Sequence, residues 1–238
     1  MGPTLALEVI ARDGSRSPLA FTVGSLWNGG LAFRDLAASE EHIAELRQQG
    51  IDAEVERPMV FPLTPNMATT GDEVDVLGAE TSGEVEFALF VNGPALYVGI
   101  ASDHSDRVLE RVSVQMSKQV CPDVVGREVW PYADVKDHWD QLVLRSTVTS
   151  GSERVVYQES PLAILCTVDY MLGLLRQAGA PDEGLLLSSG TIPTKGGRLL
   201  FPEAYDIELE DPVLGRTLHH HYHVRVWQRR AGEVYQNA

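Results

Sequence analysis

The stretch that decides the fold runs from Ser82 to Val91 and reads S-G-E-V-E-F-A-L-F-V. In a β-strand, residues i and i+2 face the same way. Glu84 and Glu86 therefore share one face, while Val85, Phe87 and Leu89 share the other. Ala88 and Phe90 continue the glutamate face, so that face is not simply turned to solvent. Two readings stand side by side. The segment is a polar edge strand, or it holds two carboxylates whose repulsion a hard cation such as Mg²⁺ would relieve.

Downstream, V-G-I-A-S-D-H-S-D-R-V-L-E-R-V-S-V-Q-M-S-K-Q-V-C-P covers Val98 to Pro122. A strand over Leu96–Ile100 is expected to deliver Asp103 just past its end, with Arg107 and then Lys118 following. Asp103 is a candidate third oxygen ligand. His104 beside it is either a further ligand or a hydrogen-bonded or exposed histidine, and Asp106 and Arg107 can simply pair with neighbours. After the apolar run at Leu185–Leu187, the turn S-S-G-T-I-P-T-K-G-G offers backbone N–H groups and Thr191 as an anion nest, or is an ordinary glycine-flanked turn.

Upstream, His42 and Glu45 lie at i and i+3, on one face of a helix expected from Glu40 to Gln49. Such a pair can orient an imidazole as a general base, or it is a surface pair on a solvated face. Near the C-terminus stands H-H-H-Y-H, His219–His223. In a strand His219, His221 and His223 would share a face, which makes a metal site geometrically possible. The flanking P-V-L-G-R-T-L and V-R-V-W also read as an ordinary closing hairpin strand.

Strand-like patches recur at Leu5–Ala11, Leu19–Val23, Glu84–Val91, Ala95–Ile100, Leu142–Thr149, Leu185–Ser188, Tyr205–Leu209 and Tyr222–Trp227, bounded by Gly, Pro, Asn or Asp. The first helix has Ser39 as N-cap, acidic residues in its first turn and Gly50 as its stop. A second helix is expected after Ser160-Pro161, a serine cap with proline at N1, ending at Gly179. Its stripe of Ile164, Val168, Met171 and Leu175 is accompanied by further apolar residues, which predicts burial in a core or a dimer interface. Strands outnumber helices and do not alternate with them, so the class is α+β, mainly β. Dinucleotide, phosphate-loop, nucleophile-elbow and zincin motifs are absent.

The chain has 238 residues and a formal charge of −15, from 34 Asp+Glu against 19 Lys+Arg. With 44% hydrophobic and 22% charged residues it has an ordinary globular composition and enough length for a full core. The acidic balance argues against nucleic acid as a partner, since phosphate binding needs clustered Lys and Arg. The N-terminus lacks the pattern of a signal peptide. The longest apolar run, Leu162–Leu175, is shorter than the roughly 20 residues a membrane span needs. Cys121 and Cys166 lack metal or redox spacing and read as reduced thiols in a cytoplasmic protein.

Taken in order, these pieces resemble the fumarylacetoacetate hydrolase superfamily from about Leu31 to Val226. The order is a helix with His-x-x-Glu, then R-P-M-V-F-P-L-T-P, then Glu-x-Glu, then the aspartate strand end with Arg, then Lys, then a Gly-Thr turn. The strings S-G-E-V-E, S-D-H-S-D-R, S-K-Q-V-C-P, H-W-D-Q-L-V-L-R-S and E-L-E-D-P-V-L-G-R are similar to an uncharacterised branch of it, a domain of unknown function. The resemblance implies a β-roll catalytic domain at 61–238 with a small N-terminal lobe and lid helix at 1–60, commonly assembled as a homodimer. It implies Glu84, Glu86 and Asp103 as ligands of Mg²⁺ or Mn²⁺, and His42 and Glu45 as a lid dyad that activates water. Lys118 would act at the reacting carbonyl, and Arg34, Arg107, Gly190 and Thr191 would bind substrate. Arg34-Asp35-Leu36 stands where the family commonly has Arg-Asn-Tyr, and the turn reads G-T-I-P-T-K-G-G.

The activity so implied is metal-dependent hydrolysis of a C–C bond in a small anionic 2-oxo or 1,3-dicarbonyl acid, acylpyruvate-like, through an enolate. Decarboxylation, tautomerisation or dehydration of a 2-oxo acid at the same metal site is the alternative, and a non-catalytic member of the fold a third reading.

Overall fold

A computed structural model describes residues 2–35 and 58–227. The expected lid helix, with His42 and Glu45, lies outside the described residues. Fifteen strands are present among those described. They are β1 (Thr4–Ile10), β2 (Arg16–Thr22), β3 (Ser25–Gly30), β4 (Met59–Leu63), β5 (Ala68–Thr69), β6 (Glu73–Val76), β7 (Thr81–Asn92) and β8 (Ala95–Asp106). There follow β9 (Asp123–Val125), β10 (Glu128–Pro131), β11 (Val143–Ser150), β12 (Glu153–Pro161), β13 (Leu185–Ser188), β14 (Ala204–Asp211) and β15 (Arg216–Val226). Among the described residues four α-helices interrupt them: α1 (Arg107–Glu110), α2 (Val114–Gln119), α3 (Tyr132–Val135) and α4 (Val168–Gln177).

The strands form two sheets. The larger runs β2-β1-β10-β8-β7-β13-β3-β4, with β9 beside β8 and β5 beside β9; the smaller runs β12-β11-β14-β15-β6. Strands β1 to β3, from the first 60 residues, are part of the same sheet as β7 and β8.

Strand β7 is the middle of this architecture. It pairs antiparallel with β8 on one side and with β13 on the other, which overturns the edge-strand reading. Its alternation divides the core in two. Val85, Phe87, Leu89 and Val91 join Leu142, Leu144, Tyr205, Ile207, Leu209, Leu218 and Tyr222 in one buried cluster, which spans both sheets. Ala88 and Phe90 join Leu5, Leu7, Phe21, Leu26, Ala101 and Leu186 in the other. Burying a single Phe or Leu side chain contributes roughly 1.5–3 kcal/mol. Two dry clusters on opposite faces therefore fix the register of β7, because a one-residue slip would exchange them.

The second helix departs from its expected start. Ser160 and Pro161 are the end of β12, paired with Leu144 and Val143. The helix begins seven residues later, where the Thr167 hydroxyl accepts from the Tyr170 N–H. The Ser-Pro signature fits a helix start as well as a strand end, and cross-strand pairing with β11 decided between them. Gly179 ends the element as expected, at φ +85°. Val168, Met171, Leu172 and Leu175 are buried and Tyr170 is exposed, so α4 is amphipathic rather than apolar all round. Both cysteines are free and buried. No helix among the described residues is long and apolar enough to cross a membrane.

Candidate metal centre

Strand β8 runs on to Asp106, so Asp103 lies inside a strand rather than past its end, directly opposite Glu84 in the β7–β8 pairing. Glu86 sits two residues along β7 on the same face. One carboxylate oxygen from each of Glu84, Glu86 and Asp103 lies within 4.8 Å of the others. All three are buried. Two adjacent strands thus bring the three acids to one point.

Neighbouring groups hold the trio from the side. The Asp106 carboxylate caps α1 by accepting from the Val108 and Leu109 N–H groups at 2.9 and 3.0 Å. This start aims Arg107 inward. Its guanidinium donates to the Ser82 hydroxyl (2.7 Å), the Ser82 carbonyl (3.3 Å) and Glu110 (2.8 Å), and pairs with Glu84 at 3.2 Å. Ser113 caps α2, and Gln115 and Gln119 tie that helix to Pro62 and Thr64. The helix then directs Lys118 onto Asp103, with which it is hydrogen-bonded. Gly190, at φ +92°, donates its N–H to Glu86 at 2.8 Å. A Cβ there would lie 3.1 Å from that of Ala32, so glycine suits both the conformation and the space. The Thr191 hydroxyl donates to the Val85 carbonyl and accepts from Gln158.

The electrostatics follow from this crowding. Burial, then the Asp103 charge, push the Glu86 carboxyl well above its ordinary value. Burial works to lower the Lys118 pKa, but Asp103, Glu84 and Glu86 outweigh it and the ammonium is held charged. Asp123 on β9 lies opposite Asp103 and accepts from the Ser188 hydroxyl at 3.1 Å. Burial and then Asp103 raise its carboxyl to about 8. Among the described residues four buried acids, Glu84, Glu86, Asp103 and Glu110, thus face two buried bases, Lys118 and Arg107. The donor set is all oxygen and anionic, which fits a hard divalent cation of the Mg²⁺ or Mn²⁺ kind.

Other expected residues fall elsewhere. His104 turns to the opposite face of β8, where it bonds the hydroxyls of Thr81 (3.0 Å) and Tyr222 (3.3 Å). Burial and then Arg107 lower its pKa to about 3, so it is a neutral core histidine, the second of its two readings. Arg34 makes a bidentate pair with Asp140 at 2.5 and 2.8 Å. It lines a cleft of about 330 Å³ with Tyr132, Trp139, Thr167 and Asp169, which none of the three acids lines. Sequence reasoning missed Ser82, Gln158, Ser188 and Asp123 as neighbours of the site. Glu110 alone carried a local signal, being three residues after Arg107 on a helical turn.

Comparison with known proteins agrees with this architecture. Solved structures of similar fold include a hexagonal crystal form of 2-keto-3-deoxyarabinonate dehydratase (TM-score 0.61, 19% identity, covering 87% of this chain and 75% of that one). An inhibitor-bound structure of Cg1458 matches with a TM-score of 0.64 at 16% identity over 90% of this chain and 84% of its own. A 2-keto-3-deoxy-D-arabinonate dehydratase complexed with magnesium and 2,5-dioxopentanoate matches with a TM-score of 0.58 at 18% identity, over 85% and 74%. The fold is therefore that of the fumarylacetoacetate hydrolase-like proteins. Residues 29–222 match the family described as protein of unknown function (DUF2848), and the chain belongs to that family. Among curated proteins no sequence matches.

Proposed function

We propose that the protein is a divalent-metal-dependent enzyme acting on small anionic 2-oxo acids, and specifically a hydrolase that cleaves a C–C bond in an acylpyruvate-like acid. The observation that carries this reading is the convergence of Glu84, Glu86 and Asp103, buried and within 4.8 Å, with a charged lysine at their edge. The magnesium and 2-oxo acid in one structure of the same fold belong to that protein, and are consistent with the reading for this one.

Glu84, Glu86 and Asp103 would hold Mg²⁺ or Mn²⁺, and the cation supplies Lewis acidity toward the 2-oxo acid. Arg107 acts through Glu84, whose carboxylate it fixes, and Gly190 does the same for Glu86 through its backbone N–H. His42 and Glu45 would form the dyad that takes a proton from the water attacking the distal carbonyl. As the C–C bond breaks, the Lys118 ammonium stabilises the negative charge that develops on the departing fragment. Thr191 completes the substrate end, and the lid helix expected within residues 1–60 closes over a catalytic region at 61–238. A homodimer belongs to the same proposal.

Product analysis by NMR after incubation with an acylpyruvate, with and without Mg²⁺, tests this. Two acids should form only with Mg²⁺, and not with Glu84→Gln. Tautomer, CO₂ or loss of water as the only Mg²⁺-dependent outcome would replace hydrolysis by the corresponding alternative. No Mg²⁺-dependent change across a panel of acylpyruvates and 3-deoxy-2-oxo acids would overturn the enzymatic reading.

A further inference from the structure

Strand β15 alternates as sharply as β7, with a different consequence. Leu218, His220 and Tyr222 turn inward and are buried. His219, His221 and His223 lie on the outer face of the smaller sheet, with side chains wholly or partly open to solvent. Across the β14–β15 pairing, His221 stands opposite Asp206.

The hydrogen bonds assign the ring nitrogens. Asp206 accepts from Nδ1 of His221 at 3.0 Å, and a carboxylate can only accept. The neutral His221 ring therefore carries its proton on Nδ1, leaving a lone pair on Nε2. That lone pair faces Nε2 of His223 at 3.1 Å, with the two rings nearly perpendicular. Two nitrogens each about 2.05 Å from a tetrahedral zinc lie about 3.3 Å apart, so the observed spacing is close to a chelate bite. The carboxylate behind His221 is the partner that metal-bound histidines usually have, since it fixes the tautomer and raises ligand basicity. Asp206 also accepts from Nε2 of His219 at 3.2 Å and pairs with Arg154, which anchors it in place.

We propose that His221 and His223 form a second metal site on the outer face of the smaller sheet, with Asp206 as its supporting carboxylate. Its cation is a borderline transition metal of the zinc class, because imidazole nitrogens favour Zn²⁺, Ni²⁺ or Cu²⁺ where an all-carboxylate site favours Mg²⁺. On binding, the proton on His223 Nε2 moves to its Nδ1, and both Nε2 lone pairs point at the cation. The remaining coordination positions go to water or to a donor from another molecule. The site does not depend on the enzymatic reading, since the two sets of ligands lie in different sheets.

The test is calorimetric titration of the full chain with Zn²⁺, in the wild type and in Glu84→Gln, whose carboxylate trio is broken, so that binding at the histidines is the part both share. One Zn²⁺ should bind in common, and His221→Ala and His223→Ala should each weaken it at least tenfold. Asp206→Asn should weaken it by about tenfold, the usual scale for removing a supporting carboxylate. Far-UV circular dichroism and the Mg²⁺-induced rise in Tm should be unchanged in both histidine variants. Absence of Zn²⁺ binding common to both, or that binding retained in folded His221→Ala and His223→Ala, would overturn the site.

Discussion

Arg107 directs its guanidinium at Ser82, Glu84 and Glu110 from a position that is 2% exposed. Its planar fork serves three partners at once, a geometry that a lysine ammonium cannot reproduce. Arg107→Lys keeps the positive charge but loses the fork, so it is expected to destabilise the fold by about 2 kcal/mol, because buried acceptors are left without their donors. Urea denaturation measures that loss, and Mg²⁺ in excess should recover part of it by occupying the carboxylates. Retained stability in Arg107→Lys would mean that water already serves Glu84. At this scale the Glu84–Glu86 pair was legible because strand periodicity puts both on one face whatever the rest of the fold does, whereas Asp103, expected past a strand end, lies within β8. Gln158 was not, since its bonds to the Val85 N–H at 3.0 Å and to Thr191 link two sheets and leave no local pattern. Arg34 matched a family position by sequence order, yet order does not reveal that Asp140 engages it.

Helix α4 gives a contrast between two caps. Thr167→Ala should cost about 1 kcal/mol, the usual value for a lost N-cap, whereas Ser160→Ala should cost little because Ser160 lies at a strand end. Equal losses in denaturant titration would restore the longer helix read from Ser160-Pro161. The β14–β15 turn supplies a pH test. Burial works to raise the pKa of Asp211, and bonds from the Leu214 N–H, His138 and Arg216 outweigh it, so the carboxyl ends below its ordinary value. A lowered folded-state pKa contributes stability that is present above the unfolded value near 3.9 and lost as pH falls through the folded one. Asp211→Asn should therefore be less stable than wild type at pH 7, with the gap closing as the pH falls below about 4. A gap independent of pH would show that shape rather than charge holds the turn. Long strands such as β7 and β14 were readable from alternation. Strand β12 was not, because Arg154, Val155 and Val156 are exposed and only pairing with β11 orders them.

Across the whole molecule, the class followed from many short strands and few helices, and the two-sheet arrangement with β7 at its middle bears it out. The sheet order itself was not legible, since β1 pairs with β10 and β3 with β13 over long sequence separations that no local signal encodes. The charge of −15 acquires a more specific meaning from the structure. Part of it is buried around one point, where among the described residues four acids face Lys118 and Arg107, and the rest surrounds the molecule and disfavours polyanions. Raising salt should accordingly lower the KM for an anionic acid by screening that surface, while leaving kcat unaltered; a KM that rises with salt would indicate electrostatic attraction instead. The most direct test is Mn²⁺ titration followed by electron paramagnetic resonance, with and without oxalate as a non-reacting mimic of a 2-oxo acid. Wild-type protein should bind Mn²⁺ more tightly when oxalate is present, because two ligands that meet at one site each strengthen the other's binding. Glu84→Gln should lose at least tenfold in Mn²⁺ affinity together with the oxalate effect. Equal Mn²⁺ binding in wild type and variant, indifferent to oxalate, would contradict a metal centre at Glu84, Glu86 and Asp103.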